Sequence, residues 1–560
     1  MTLTEKKWLL PPAANSHQLP RDIPAPIAQA LLNRGIDTAE KLSIFLDPPQ
    51  QLPYNPMRIA GMDRALQRLF QAIKQKEHVG VFGDFDVDGI TGTAIVTEGL
   101  QDLGVSVTPY LPHRVEEGHG LSHAAIRHLT EQGVSLIVTV DCGVTSVAEV
   151  AEANSLGTDV IITDHHLPPA EPPNAVAIIN PKMEGSQYPF DGLCGAGIAF
   201  KLMQGLYQYH GQPWSPALLE LAALGTIADL VPLLDENRFL VREGLTELAL
   251  TQRPGLQALY RVAGIQPQAL SAETVAFQIA PRLNSAGRMS HAKESLQLLT
   301  TRSESEAEEL AQRLEGLNLE RRTLTEEAFS AACSQVEQQD NLPPILLVGH
   351  PSITPGVAGL VAGRLVERHH RPAVVMASID EEHVVASGRS VPQFNLVQAF
   401  DDCQDLFVRY GGHSQAAGFT LKKEKIPQLR EQLTAVAQRT LSSIEDAPTL
   451  SVDAELNLAQ LTPDLLHWLR QLEPFGVGNP QPKFLIRGLQ VIEARNVGAL
   501  GQHLRLRVRQ DGHEGTALAF NQAERWAEGT SHIDIVSTIS VDVWRGAETI
   551  TLKVVDFRGS

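Results

Sequence analysis

Between about residues 55 and 235, short apolar, β-branched runs alternate with longer stretches of helical period. The runs lie at 79–82, 105–110, 136–140, 160–163 and 176–179. The repeating pattern predicts an α/β fold, a parallel sheet with helices on both faces. The first run breaks at Gly83, residues 90–100 then read as a helix, and 217–227 have a helical pattern. Upstream, residues 1–50 are Pro-rich at first (Pro11, Pro12, Pro20, Pro24, Pro26), then helical around 27–34 and 38–46, predicting a small helical N-terminal piece packed on the domain that follows. Downstream, 303–340 read as one or two long helices. Ser303 and Glu306 have the spacing of a capping box, and Leu310, Leu314 and Leu317 form an apolar stripe. Pro343-Pro344 marks a boundary, and runs at 345–348, 373–376 and 384–386 predict a second α/β lobe. From about 446 the helical period fades after Arg470, and short alternating runs between Gly turns predict a small β-barrel. The division is 1–50, 51–302, 303–342, 343–445 and 446–560.

With 560 residues, 43% hydrophobic and 20% charged, the composition is that of a globular protein with ample material for several cores. The formal net charge of −19 means that any nucleic-acid site must be a local basic surface on an acidic body. Cys142, Cys194, Cys333 and Cys403 include no C-x-x-C pair, which argues against a zinc site and a disulfide framework and suits a reducing, cytoplasmic setting. No signal-peptide pattern opens the chain, and no apolar run reaches the ~18 residues that span a bilayer.

The chemistry lies where the runs end. The first ends in G-D-F-D-V-D-G, with Asp84, Asp86 and Asp88 at alternate positions. The third ends at Asp141, followed by Cys142-Gly143, and the fourth at Asp164-His165-His166. The helical stretch 217–227 delivers Asp229 in G-T-I-A-D. Ligands of open α/β sheets bind beyond the carboxyl ends of the strands, so these groups are expected along one edge. Crowded carboxylates are stable around a hard cation, and Asp and His without thiolate suit Mn²⁺ or Mg²⁺. At least six candidate ligands exceed what one such ion takes, which implies two ions and the clamp used for in-line displacement at phosphorus. No nucleophile elbow, P-loop or dinucleotide-binding glycine fingerprint competes.

This ordered set resembles the DHH phosphoesterase superfamily and, within it, the RecJ family of single-strand-specific 5′→3′ exonucleases. The resemblance implies Asp84, Asp86, Asp88, Asp141, His165 and Asp229 as metal ligands, His166 facing the scissile phosphate, and Asp164 orienting its neighbours. It extends to His113-Arg114 in L-P-H-R, and to Arg282, Asn284 and Arg288 in A-P-R-L-N-S-A-G-R-M, where guanidinium forks suit phosphates. Arg321 and Arg322 lie on the polar side of the long helix, which in the family borders the path of the strand. In the second lobe, A-S-G-R-S and G-G-H-S-Q-A-A-G resemble the accompanying DHHA1 domain and imply Ser387, Arg389, Ser390 and His413 as phosphate contacts. One departure stands out. Where family members carry a Trp-His pair before G-V-x-G, this chain has Ile353-Thr354-Pro355-Gly356, which leaves His350 as the nearest substitute.

In 503–509 (H-L-R-L-R-V-R), Leu504, Leu506 and Val508 fall on one face and Arg505, Arg507 and Arg509 on the other, an electrostatic track for a single strand. The segments 472–480 and 541–546 resemble the family's oligonucleotide-binding (OB) barrel, with Trp544 as a stacking candidate. The resemblance therefore implies a two-metal exonuclease on single-stranded DNA, acting in recombination and repair, with a single-strand-binding protein and a helicase as candidate partners. Two rivals are a nanoRNase or cyclic-dinucleotide phosphodiesterase of the same superfamily, which has no need of the long helix and the arginine-faced barrel, and a replication scaffold with a decayed site.

Overall fold

The computed structural model describes residues 6–12, 19–46, 53–339, 341–441, 449–544 and 547–559, with the backbone alone at 542–544 and 547–549. The chain divides into two compact units: Tyr54–Val231 with Leu240–Asp446, and Met1–Pro53 with Pro232–Phe239 and Ala447–Ser560.

The first unit is built on a five-stranded parallel sheet in the order Ser106–Tyr110, His78–Gly83, Leu136–Val140, Asp159–Thr163, Ala177–Ile179. Its central strands are buried end to end because helices cover both faces. One face receives the nearly fully buried helix Val87–Asp102, which packs against Gly195–His210 and Ala217–Ala228. The other is covered through Ala125, Ile126 and Leu129 of His123–Glu131 and Val150 and Ala153 of Val147–Ser155. The register pairs Gly83 with Val140 and Val140 with Thr163. Asp84, Asp141 and Asp164 therefore emerge side by side at one edge, as neighbouring strands lie about 4.8 Å apart.

The stretch 303–340 forms one helix, Glu304–Glu337, of 34 residues, about 51 Å long. The Ser303 side chain accepts from Glu306 N (3.3 Å), but the box does not close, because the Glu306 carboxylate is taken by the Thr301 hydroxyl. The buried stripe runs through Ala307, Ala311, Leu314, Asn318 and Thr325, leaving Leu310 and Leu317 at its half-buried flanks. The second lobe is a five-stranded mixed sheet in the order Phe407–His413, Ala416–Lys422, His383–Arg389, Ala373–Ser378, Leu346–Gly349, only the last pair being parallel. Helix Pro355–His369 joins Ala328, Ala332 and Val336 of the long helix in one core, and Leu429, Leu433 and Ala437 of Ile426–Leu441 fill another.

In the second unit, Phe484–Val497 pairs with both His503–Gln510 and His532–Trp544, and the circuit closes through His513–Ala519 and Ala547–Gly559 into a five-stranded barrel. Leu504, Leu506 and Val508 are fully buried while the arginines between them face out. The N-terminal helices Ala25–Asn33 and Ala39–Leu46 belong to this unit, not to the domain that follows them in sequence. Ile27, Leu31 and Leu42 join Leu456, Leu465 and Phe484 in the barrel core, Arg34 pairs with Asp453 (3.1 Å), and the strand Lys7–Leu9 pairs with Thr449–Ser451. An apolar helix face buries against whichever core has room for it, and its own period does not say which. The side chain of Trp544 and residues 545–546 lie outside the described residues. Among the described residues, no helix is long and apolar enough to cross a membrane.

Leu31→Ala should destabilise the barrel unit by about 2–5 kcal/mol. Amide exchange is expected to quicken in the barrel strands and stay unchanged in the parallel sheet.

Candidate metal centre

At the sheet edge the first motif divides its labour. Asp86 caps helix Val87–Asp102, its Oδ1 accepting from Asp88 N (3.0 Å) and Gly89 N (3.2 Å). The Asp88 carboxylate accepts from Gly195 N (2.6 Å) and Ala196 N (2.8 Å) at the start of another helix, where the helix dipole favours an anion. Asp84 is fully buried, and neither of its oxygens has a hydrogen-bond partner. Asp141 holds a left-handed φ of +61°, a strain of about 1–3 kcal/mol of the kind kept at functional sites, and its buried Oδ1 also lacks a hydrogen bond. Backbones close in tightly here. A Cβ on Gly89 would lie 2.5 Å from the Asp84 carbonyl oxygen, one on Gly195 2.5 Å from the Asp141 Cβ, and one on Gly225 2.7 Å from the Asp88 Oδ1.

Asp164 is saturated. Its carboxylate accepts from Val144 N (2.9 Å), His165 N (2.8 Å), His166 N (3.1 Å) and His166 Nδ1 (2.7 Å). Burial works to raise this carboxyl, yet the bonds from His166 and the backbone hold it below the usual range. It orients rather than ligates, and the Nδ1 bond leaves His166 Nε2 free to act. Burial disfavours the His166 imidazolium, but Asp164 reverses this and raises the ring above its ordinary value. His165 is the opposite case. Burial and the neighbouring His166 push it down to about 3, leaving a neutral ring whose Nε2 lies 3.1 Å from Asp141 Oδ1 and 3.7 Å from Asp229 Oδ2.

The carboxylates raise one another. Burial, then Asp86, lifts Asp88 to about 6; burial, then Asp88, lifts Asp229 to about 9; Asp84 and Asp141 are pushed well above the carboxylate range by burial and their acidic neighbours. Three groups have ligand atoms within 4.8 Å of one another: Asp84, Asp86 and Asp141; Asp88, His165 and Asp229; Asp141, His165 and His166. Unpartnered buried oxygens, mutual repulsion and a neutral imidazole are what a pair of hard divalent cations relieves, and an oxygen-and-nitrogen donor set fits Mn²⁺ or Mg²⁺. The thiols stay out. Cys194 Sγ accepts from Gly197 N (3.3 Å) as a helix cap, and burial raises Cys142.

Beside the acids stands a cluster of cations. Arg114 stacks on Phe85 at 4.0 Å, and its buried Nε has no hydrogen-bond partner. Arg288 donates from Nη1 to Gly356 O (3.2 Å), and burial with Arg114, Arg321 and Arg389 around it brings it down to about 9. Arg389 donates to Gly388 O (2.9 Å). None of the three pairs with a carboxylate among the described residues. Asn284 Oδ1 is buried without a partner. His413, from the second lobe, lies parallel to His166 with ring centres 6.0 Å apart, and Ser387 Oγ sits by Gly359 and Arg389. His113 accepts from Glu116 N through Nδ1 (3.2 Å).

Other expected contacts are engaged elsewhere. Arg282 is bound by the Glu315 carboxylate and by Gln278 O (2.7 Å), and Ser390 Oγ turns inward to Phe394 O (2.7 Å). Arg321 reaches Asn318 Oδ1 (2.9 Å). On the barrel, Glu514 takes Arg507 (3.0 Å) and Arg509 (2.6 Å), which leaves Arg505 as the unpaired cation of that strand face among the described residues. His350 is exposed and bonded to Ser352 Oγ (2.9 Å), and Thr354 caps its helix without a side-chain bond. Two side chains that the motifs did not flag stand in the site. His119 Nδ1 is 3.3 Å from Asp84 Oδ1, carried on a loop between two positive-φ glycines. Lys182, just beyond the fifth strand, donates to His165 O (2.5 Å). The rule that directs attention to strand ends applied to that strand too.

A parallel sheet delivering this carboxylate and histidine set to one edge, with a second lobe closing on it, defines a DHH phosphoesterase. Residues 78–226 match the DHH family, N-terminal domain, 342–439 the DHHA1 domain and 452–556 the RecJ OB domain. The chain is 40% identical over 535 residues to the single-stranded-DNA-specific exonuclease RecJ of Bacillus subtilis, covering 95% of this chain and 67% of that one. It is 33% identical over 563 residues to the RecJ of Escherichia coli, covering 96% of each. The crystal structure of Thermus thermophilus RecJ in complex with Mn²⁺ superposes with a TM-score of 0.85 at 32% identity, covering 99% of this chain and 79% of that one; the Mg²⁺ complex gives 0.78. The chain belongs to the RecJ family of single-stranded-DNA-specific exonucleases.

Stability should record the crowding. In chelator, the folded chain holds protons on Asp88 up to about pH 6 and on Asp229 up to about pH 9. Unfolded aspartates release theirs near ~4. The folded state then binds more protons, so stability falls as pH rises through that window. The opposite contribution of His165 is confined below about pH 6.5, its ordinary value. Thermal melts from about pH 6.5 to 8.5 should show a midpoint that declines in chelator and is restored and flattened by Mn²⁺, which displaces those protons.

Proposed function

We propose that the chain degrades single-stranded DNA from the 5′ end, in the cytoplasm, as part of DNA recombination and repair. The observation that carries this reading is the pairing of unpartnered buried carboxylates with unpaired arginines in one unit. Asp84, Asp86, Asp88, Asp141, His165 and Asp229 hold two Mn²⁺ or Mg²⁺ ions, which supply charge neutralisation and Lewis acidity at the scissile phosphate. Asp164 fixes the His166 ring, whose Nε2 donates to a non-bridging phosphate oxygen. Hydrolysis adds water across one P–O bond, giving a mononucleotide and a shortened strand.

Arg114, Arg288 and Arg389 bring more positive charge together than one bridging phosphodiester needs, which suits a terminal phosphate and hence cleavage from an end. The direction 5′→3′ is the family expectation. Asn284, Ser387, His113 and His413 complete the lining, and in the barrel unit Arg505 is a contact for single-stranded DNA in its own right. Such contacts reach phosphate and not base edges, so cleavage is independent of sequence. A single-strand-binding protein and a helicase, which present and open single strands, are the candidate protein partners.

Oligonucleotides labelled at either end, single-stranded or duplex, in Mn²⁺, Mg²⁺ or chelator, test this. Metal-dependent mononucleotide release from the 5′ end of the single strand is expected. Cutting confined to dinucleotides would move the assignment to a nanoRNase, and binding without cutting in any metal to a scaffold. Asp141→Ala and His165→Ala should each lower the rate more than ~100-fold while strand binding in chelator persists.

A further inference from the structure

The loop after the fifth strand carries Asn180-Pro181-Lys182. Asn180 is fully buried, donates from Nδ2 to His166 O (2.8 Å) and accepts from Lys182 N through Oδ1 (2.9 Å). The Asp164–His166 segment is thus already anchored by a neutral side chain. Lys182 Nζ adds one bond, to His165 O at 2.5 Å. An ammonium has three donors. Here it has one acceptor and no carboxylate within 4.0 Å among the described residues. Its half-buried charge nevertheless faces the centre. It draws the Asp229 carboxyl down against burial and disfavours protonation of His165 and of His413, which comes from the second lobe. Arg114 stands by Asp84 and Asp86 and Arg288 by Asp86, while Lys182 stands by Asp229 and His165.

We propose that Lys182 binds substrate, its ammonium taking a phosphate oxygen of the DNA strand at the Asp229–His165 end of the centre. The loop is held without it, two of its donors are unused, and a cation among imidazoles is stabilised when an anion arrives. Lysine serves such a site as a point charge and needs no bidentate geometry. The strand is then gripped on both sides of the carboxylates, by guanidiniums at one end and an ammonium at the other. This inference rests on the exonuclease reading.

The test is a coupling experiment in chelator. Single-stranded oligonucleotides, each with one neutral methylphosphonate linkage walked along the first positions from the 5′ end, are titrated against wild type, Lys182→Gln, Lys182→Met and Lys182→Arg. At one linkage, neutralisation should weaken wild type about tenfold, the scale of a hydrogen bond to a charged group. The same change should cost Lys182→Gln less than about twofold, and Lys182→Arg should keep the sensitivity. The slope of log K against log salt should fall by about 0.7 in Lys182→Gln. Lys182→Met keeps the aliphatic stem and repeats the measurement if the Gln variant melts early. Variants that match wild type at every linkage and in slope would overturn the proposal and leave Lys182 a brace on the His165 loop. Wild type that neither binds nor cuts single strands would overturn the exonuclease reading and this inference with it. Wild type that cuts but shows no coupling overturns this inference alone.

Discussion

The carboxylates of Asp84, Asp88 and Asp141 repel one another in surroundings that screen charge weakly, and the first unit is arranged around that repulsion. Three strands in register set the acids side by side. One helix start grips Asp88, Asp86 caps another, and Asp141 is held in a conformation that most residues avoid. Each of these holds a group in place that would otherwise move away or stay protonated. Folding without metal therefore leaves protons where cations belong, and the binding energy of the ions is spent partly on removing them.

The same accounting explains the cations. In a chain of net charge −19, many arginines find carboxylates, as Arg282 does with Glu315 and Arg509 with Glu514. Arg114, Arg288 and Arg389 do not among the described residues, although Asp86 is near enough to be felt by Arg114 and Arg288. Leaving guanidiniums unpaired in a half-buried cleft is costly unless an anion visits. In a chain of net charge −19, a guanidinium cluster beside the carboxylates concentrates attraction for DNA where cleavage occurs.

Much of this was legible in the sequence because strands impose direction. An acid directly after a buried strand can only emerge at its carboxyl end, so the delivery of Asp84, Asp141 and Asp164 to one edge followed from the runs alone. Lys182 lies three residues past the run 176–179, within reach of the same strand-end rule, while His119 sits in a glycine loop with no period to read. The protein partners of Arg282 and Ser390, Glu315 and the Phe394 carbonyl, could not be read from their motifs, because they are set by packing and turn geometry. The pairing of Arg509 with Glu514 could have been deduced. Asp511 and Gly512, both at positive φ, form a two-residue hairpin turn that fixes Arg509 opposite Glu514. Which core would accept the N-terminal helices was not decidable, since an amphipathic face is complementary to any apolar surface of its size.

The close approaches at Gly89, Gly195 and Gly225 bear on how this protein can diverge. Aspartates are tolerated in many settings, and a lineage that had ceased to cut DNA could retain them for solubility or capping. A bare α-carbon against the Asp84 backbone, the Asp141 side chain or the Asp88 carboxylate has value only while those carboxylates must sit where they do. Drift would fill these positions with alanine or serine early. Among distant members of the family, the three glycines should therefore distinguish working nucleases from relics better than the acids themselves.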